Sequence, residues 1–244
     1  MLPLLYHAHH RHYQDDIPFW LGLAAQAGSP VLELGCGTGR VLIRLAQAGF
    51  RTVGIDKDLP MLNFLQALLE SDAQHAPALI AADITRFGMK EKFPLVILPC
   101  NTYSTLNPNE RISCLGSISG CLCRGGMFAV SLPNPSILHS LPGHSEAELE
   151  EEFLHPITGN PVQVSSAWQR TKYTFKVSWI YDHLLPNGKV EHVVVKTVHY
   201  KTELDTYLDE IQHAGLSVIE TYGDFDRSEY TGNSPQLIIL ATKS

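Results

Sequence analysis

The residues best equipped for chemistry sit in the first third of the chain. Residues 31–40 read VLELGCGTGR, with Gly35, Gly37 and Gly39 at alternate positions and Glu33 two residues ahead of the first. Asp56 closes the apolar run TVGID, and Asp83 closes ALIAAD. Glycines in a strand-to-helix turn let backbone N–H groups approach a ligand closely and let the turn tighten. Carboxylates at strand ends accept hydrogen bonds from hydroxyl or amine donors.

Spacing and charge narrow the ligand. A dinucleotide turn reads G-x-G-x-x-G, whereas this one reads G-x-G-x-G. Glu33 beside the turn would repel a pyrophosphate and would favour a cationic ammonium or sulfonium group. Asp56 is placed to accept from both hydroxyls of a ribose, and Asp83 from the exocyclic amine of adenine. A ligand with adenosine at one end and an amino-acid sulfonium at the other meets all three conditions. S-adenosylmethionine is such a ligand.

These residues need strands and helices to position them. DIPFWLGLAAQAG has Asp16 as N-cap, Pro18 in its first turn and Gly28 at its far end, so a helix is expected there. PVLEL, RTVGID, PALIAAD, FPLVILP and MFAVSLP read as five strands. RVLIRLAQAG, LPMLNFLQALLE and NERISCLGSISGCL read as the helices between them. Alternation of this kind from residue 30 to 132 marks a doubly wound, mostly parallel α/β sheet. The strands are continuous apolar runs, as both faces are to be covered.

The pattern changes after residue 133. YTFKVSWIY alternates, with Tyr173, Phe175, Val177, Trp179 and Tyr181 on one face. Asn187-Gly188 signals a two-residue hairpin loop, which would set Ile180 opposite Val195 and His183 opposite His192. Another strand pair is expected across Gly159-Asn160. Residues 148–201 therefore read as an inserted antiparallel β subdomain, and residues 1–28 as an N-terminal helical cap, within a single domain of 1–244. The aromatic face is expected to pack on the main sheet. TELDTYLDEIQHAG is a helix with Thr202 and Asp205 resembling a capping box, and two strands follow it.

Composition excludes other classes. The net charge is −7, which disfavours a duplex nucleic-acid partner. Five cysteines without a C-x-x-C pair, and no leader-like start, read as reduced thiols in a cytoplasmic protein. No apolar run approaches membrane-spanning length. HAHHRH places His7 with His10 and His9 with His12 at i, i+3, but it has no companion acid or cysteine, so no metal site is expected.

VLELGCGTGR, TVGIDKDLPML, AADITRF, FPLVILPCNTYSTL and RGGMFAVSLPNP, in this order and spacing, resemble the successive motifs of class I S-adenosylmethionine-dependent methyltransferases of the small-molecule group. The resemblance implies seven strands in the order 3-2-1-4-5-7-6, the last antiparallel. It implies that Gly35, Cys36, Gly37 and Gly39 form the turn against the methionine part, with Glu33 near its ammonium. Asp56 would hold the ribose, and Lys57 and Met61 would flank the adenine. Asp83 and the Ile84 N–H would meet the adenine edge. Pro99, Cys100 and Tyr103 would line the methyl end, and Tyr6 and Tyr13 would close over the cofactor.

Methyl transfer from a sulfonium is an in-line displacement, so positioning is the main catalytic device. General-base candidates are Tyr103, His139 after the fifth strand and His199 at the end of the insertion. The expected acceptor is a nitrogen or oxygen of a small molecule, and S-adenosylhomocysteine is the product. PCNTY lacks the double proline of nucleic-acid amino methyltransferases, so no nucleic acid is expected as acceptor. Residues 161–201 carry six basic and two acidic side chains, which fits either an anionic acceptor or lysines that keep strand edges soluble. The inserted sheet also offers a surface through which copies of the chain could associate. The rival function is a catalytically silent S-adenosylmethionine-binding sensor or scaffold.

Overall fold

The computed structural model describes residues 1–69 and 76–244. β1 (Val31–Leu34) lies mid-sheet, paired in parallel with β2 (Thr52–Asp56) on one side and β4 (Phe93–Leu98) on the other. β3 (Ala78–Ala81) extends one edge. β5 (Leu122–Pro133), β11 (Gln236–Lys243) and β10 (Leu216–Tyr222) extend the other. The order is β3-β2-β1-β4-β5-β11-β10, with β11 antiparallel to both neighbours. This is the seven-stranded order expected from the resemblance.

Strand periodicity sends alternate residues to opposite faces. Leu32 and Leu34 meet Cys114, Leu115 and Ile118 of α5 (Pro108–Cys121), together with Tyr207 and Ile211 of α7 (Leu204–His213). Val31 turns the other way, onto Trp20 and Leu23 of α2 (Ile17–Ala27) and Val41 and Leu45 of α3 (Arg40–Gln47). Glu33 shares that second face with Val31. α4 (Leu59–Leu69) packs on α3 through Leu62 and Leu65; its expected last residue, Glu70, lies outside the described residues. Asn107 and Glu110 cap α5 reciprocally. Buried Arg111 joins α5 to α7 through a two-point ion pair with Glu210 (2.8 and 2.6 Å).

A second sheet has the order β6-β7-β8-β9, all antiparallel: β6 (Glu148–Leu154), β7 (Pro161–Arg170), β8 (Thr174–Leu184) and β9 (Val190–Tyr200). α6 (Pro135–Ser140) leads into it. The hairpin register differs by one residue from the expected one: Ile180 faces Val194, Asp182 faces His192 and His183 faces Glu191. The loop has three residues rather than two. Leu185 and Lys189 close it, and Gly188 takes the left-handed position of a bulged turn (φ +77°). A one-residue slip moves every cross-strand neighbour, so the expected histidine pair does not form.

Two further expectations fail for local reasons. Tyr181 and Trp179 pack not on the main sheet but on Leu5 and His9 of α1 (Leu2–His10), which lies across the inserted sheet. At α7 the N-cap is Glu203 with no side-chain cap bond, so Thr202 and Asp205 form no capping box.

Candidate functional site

The three alternate glycines do three different jobs. A Cβ on Gly35 (φ +71°) would lie 2.8 Å from Thr102 Cγ2, so its bareness admits the turn that follows β4. A Cβ on Gly39 (φ +81°) would lie 2.5 Å from Leu65, so it lets α3 start against α4. Gly37 (φ +53°) faces open space, and its N–H donates to Asp56 Oδ2 at 2.7 Å. Of the three, Gly37 is where a ligand can approach the turn. Cys36 is buried between Leu42 and Gly54, and its thiol is pushed up by burial and the nearby Glu33 carboxyl. Its side chain is a packing element.

Behind the turn lies a buried carboxyl without a counter-ion of its own. Glu33 is 2% exposed, and its Oε2 has no hydrogen-bond partner among the described residues. Burial pushes its carboxyl well above the usual range; Arg40 opposes that shift, and Asp16 and Asp56 reinforce it. Arg40 offsets Glu33 only in part, because Asp16 holds its guanidinium by two contacts of 2.6 and 2.7 Å. The same guanidinium donates to the Tyr13 carbonyl and to Cys100 Sγ, both at 3.0 Å, and sits 5.0 Å from the Tyr13 ring centre. Tyr13 itself is exposed. Asp16, expected as a helix cap, instead takes Arg40 and the Trp20 indole N–H.

Further along the strand tips, Asp56 accepts from Gly37 N–H and, through Oδ1, from Asp58 N–H at 2.9 Å. Each oxygen keeps a second lone pair for an incoming donor. Asp83 lies two residues beyond β3. Its Oδ1 accepts from the Thr85 N–H and hydroxyl, which hold its carboxyl below the usual range. Its Oδ2 accepts from neither of these donors, and the residue is exposed. Ile84 is buried, Met61 half-buried and Lys57 exposed.

The other wall is the turn after β4. Pro99 is buried, and Cys100 and Asn101 both adopt left-handed backbone (φ +60° and +61°). Consecutive non-glycine residues there are strained, which is characteristic of functional turns. Asn101 Oδ1 is buried without a partner. Ser104 follows in a short 3-10 turn and donates to the Asn101 carbonyl (2.7 Å), while His199 Nδ1 lies 2.8 Å from its Oγ. Burial lowers His199 to about 4. Tyr6 and His10 of α1 cover the site, their rings 4.3 Å apart. Burial raises the Tyr6 hydroxyl, and the neighbouring Cys100 and Tyr181 raise it further. Burial lowers His10 to about 3, helped by His9 and Arg40.

The structure therefore brings Tyr6, Glu33, Gly37, Asp56 and Cys100 around the glycine turn, with His199 against Ser104 in the turn after β4. It does not gather Tyr103. That side chain is fully buried beside Tyr207, and its hydroxyl is directed to Glu210 at 3.5 Å, inside the α5–α7 layer. The residue after a strand tip was read as lining, but the 3-10 turn rotates it into the core. His139 stands on α6 with Nδ1 3.2 Å from Glu203, at the surface. Of the basic side chains in the insertion, Lys176 and Lys196 project from the sheet face opposite α1, whereas Arg170 shares the α1 face. The sequence reading missed the Asp16–Arg40 pair and Ser104. One signal existed for the first: an arginine at the first position of a helix opposes the macrodipole and calls for an acidic partner.

Comparison with known proteins agrees with this geometry. Residues 31–126 match the family described as "Methyltransferase domain". A putative methyltransferase of Bacillus subtilis is 26% identical, over 94% of this chain and 90% of that one. An S-adenosylmethionine-dependent methyltransferase from Clostridium acetobutylicum superposes with a TM-score of 0.84 at 14% identity, over 98% of each chain. A sugar N-methyltransferase from Streptoalloteichus sp superposes with a TM-score of 0.77 at 15% identity, over 100% of this chain and 92% of that one. A methyltransferase domain therefore spans the glycine turn and the strands that carry it, and from end to end the chain has the fold of S-adenosylmethionine-dependent methyltransferases.

Proposed function

We propose that the protein methylates a nitrogen of a small amine, using S-adenosylmethionine as donor. The observation that carries this reading is Glu33 Oε2, buried and unpartnered beside an open glycine turn. A buried carboxyl in that state gains most from a cation. The ammonium of an amino-acid sulfonium is such a cation, and Asp56 and Asp83 offer acceptors for its ribose and adenine. The donor, when bound, supplies an electrophilic methyl group on a sulfonium.

The choice of nitrogen rests on the chain's own acid–base groups. A neutral amine attacks without a base, whereas a hydroxyl needs one with a pKa near the working pH. The titratable groups around the turn are far from that condition: His10 is lowered to about 3 and His199, one of the base candidates, to about 4, and Tyr6 is raised. Groups shifted in these directions suit holding and orienting an amine better than ionising an alcohol. The similar sugar N-methyltransferase fits this reading. Arg170 supports an acceptor that also carries a negative group, since its Nε is buried without a partner on the face turned toward α1.

The test is donor consumption with a panel of amino sugars and other small amines, each paired with the matching alcohol. Turnover confined to amines is expected, together with a rise in melting temperature on adding S-adenosylhomocysteine and none with NAD. Turnover of the alcohols alone, or stabilisation by NAD alone, would overturn it.

A further inference from the structure

A cavity of about 860 Å³ opens between α1, α3 and the last turn of α4. Glu33, Gly37, Asp56 and Asp83 take no part in its walls. Sites for small molecules commonly enclose about 300–1,000 Å³. The deeper wall is apolar, with Ile43 half-buried and Ala46 and Leu69 buried. The rim is basic. Arg11 directly follows α1, and Arg40 and Arg44 stand one turn apart on α3. No carboxylate lines the cavity among the described residues, although the whole chain carries a net charge of −7.

These cations lack balance. Arg40 and Arg44 are like charges at i and i+4 of one helix, a spacing that repels. Asp16 holds Arg40. Arg44 donates to Gln47 Oε1 at 3.4 Å and Arg11 to His12 Nε2 at 3.0 Å, both neutral acceptors. Neither arginine has an acidic partner among the described residues. Deeper in, His7 Nδ1 is buried with no hydrogen-bond partner among them. The His7 ring rests against Phe64 of α4, 5.3 Å between centres, and forms part of the cavity wall. Burial lowers the ring's pKa and Arg11 lowers it further, so positive potential reaches that wall. The α-helical turn sets His7 and Arg11 on one face of α1 and Tyr6 and His10, which cover the donor turn, on the next.

We propose that this cavity binds a phosphate monoester with an apolar organic part. Three features select that chemistry. First, donors converge from two helices, so the head group must accept from more than one side. A phosphate monoester presents three terminal oxygens in a pyramid, whereas a carboxylate presents two in one plane. Second, the guanidinium forks of Arg11 and Arg44 match the edges of a phosphate and have no acid to release first. Third, Ile43, Ala46 and Leu69 offer apolar surface that inorganic phosphate cannot use and an organic substituent can cover.

The cavity and the donor turn lie on different sides of α1 and α3. The site therefore stands or falls apart from the methyl-transfer reading.

Isothermal titration of the full chain with phenyl phosphate at low salt tests it, run with and without excess S-adenosylhomocysteine. One-site binding is expected in both. Inorganic phosphate should bind about tenfold more weakly or worse, because it leaves the apolar wall uncovered. Arg44→Gln and Arg11→Gln should each weaken phenyl phosphate about tenfold or more. Arg44→Lys, which keeps the charge and loses the fork, should fall between the parent and Arg44→Gln. Absence of binding up to about 1 mM overturns the proposal. So does equal affinity for inorganic phosphate, displacement of the probe by S-adenosylhomocysteine, or an affinity indifferent to both glutamine substitutions.

Discussion

Ser104 Oγ and His199 Nδ1 stand 2.8 Å apart, and that contact joins the inserted sheet to the turn after β4. The Ser104 hydroxyl hydrogen is spent on the Asn101 carbonyl at 2.7 Å. Ser104 Oγ must then accept, so His199 donates from Nδ1 and keeps a lone pair on Nε2. Two consequences can be measured. Ser104→Ala releases the ring, and the Michaelis constant for an amine acceptor should rise while S-adenosylhomocysteine affinity stays constant. His199→Gln, which can place an oxygen near the Nε2 position, should retain more activity than His199→Phe. Equal loss in both would assign His199 to packing alone.

The same histidine sets a pH dependence of stability. His199 titrates at about 4 in the folded chain, below its usual 6.5. The unfolded chain therefore binds the proton first, so stability falls as pH drops from 6.5 toward 4 and levels off below that. His10 acts in the same direction over a range that extends down to about 3. The His199 contribution is at most about 3 kcal/mol. Urea denaturation of the parent and of His199→Gln across this range should show a shallower acid slope in the variant.

Glu33 has the opposite sign. Its carboxyl is raised, so the folded chain binds the proton more tightly than the unfolded one, and stability declines as pH rises above the normal carboxyl range. Glu33→Gln should raise the melting temperature of the ligand-free protein at neutral pH. It should also abolish the stabilisation by S-adenosylhomocysteine. In the parent, ligand binding should release a proton, visible in calorimetry as a heat that depends on the buffer's ionisation enthalpy. A buffer-independent heat would show that Glu33 is already ionised before the ligand arrives.

Asp16 keeps Arg40 away from Glu33. Asp16→Ala leaves a largely buried guanidinium unpaired and should cost about 3–5 kcal/mol of stability. Asp16→Asn keeps the shape but loosens the hold, and the freed cation then competes for Glu33. Donor affinity should fall in Asp16→Asn although no ligand-contacting residue has changed. Titration with S-adenosylhomocysteine reads the difference.

Gly35→Ala and Gly37→Ala should separate folding from binding. The first drives a methyl into Thr102 and should destabilise the chain well beyond the ~1 kcal/mol of left-handed strain, with partial relief in Thr102→Ser. The second meets nothing in the protein and should cost only that strain, yet its methyl would occupy the open side of the turn. Melting temperature and ligand affinity should move in different proportions in the two variants.

Alternation of apolar runs with amphipathic ones was enough to read the parallel sheet, because each strand carries its own local signal. The glycine spacing and Glu33 were enough to set aside a diphosphate. Contacts between distant segments left weaker traces. Nothing in HAHHRH indicates that His9 meets Trp179 and Tyr181, since that depends on where α1 lands on a sheet some 170 residues away. Asn187-Gly188 marked the hairpin correctly, but its loop length turned on whether Asn187 joined Gly188 in the left-handed region, and only Gly188 adopts it. Tyr103 was misplaced because side-chain direction after a strand tip depends on the backbone of Cys100 and Asn101, which composition does not reveal.

The inserted strands hydrogen-bond into a sheet of their own and rejoin the chain at α7, while Glu33, the glycine turn and Asp56 come upstream from β1, β2 and the start of α3. Under the proposed function, choice of nucleophile would be encoded in one contiguous cassette and choice of methyl source in another. A lineage, or an engineer, can exchange the segment between Asn134 and Glu203 for another hairpin array and recruit the same electrophile to new chemistry, provided the replacement still docks on α1 and on Ser104.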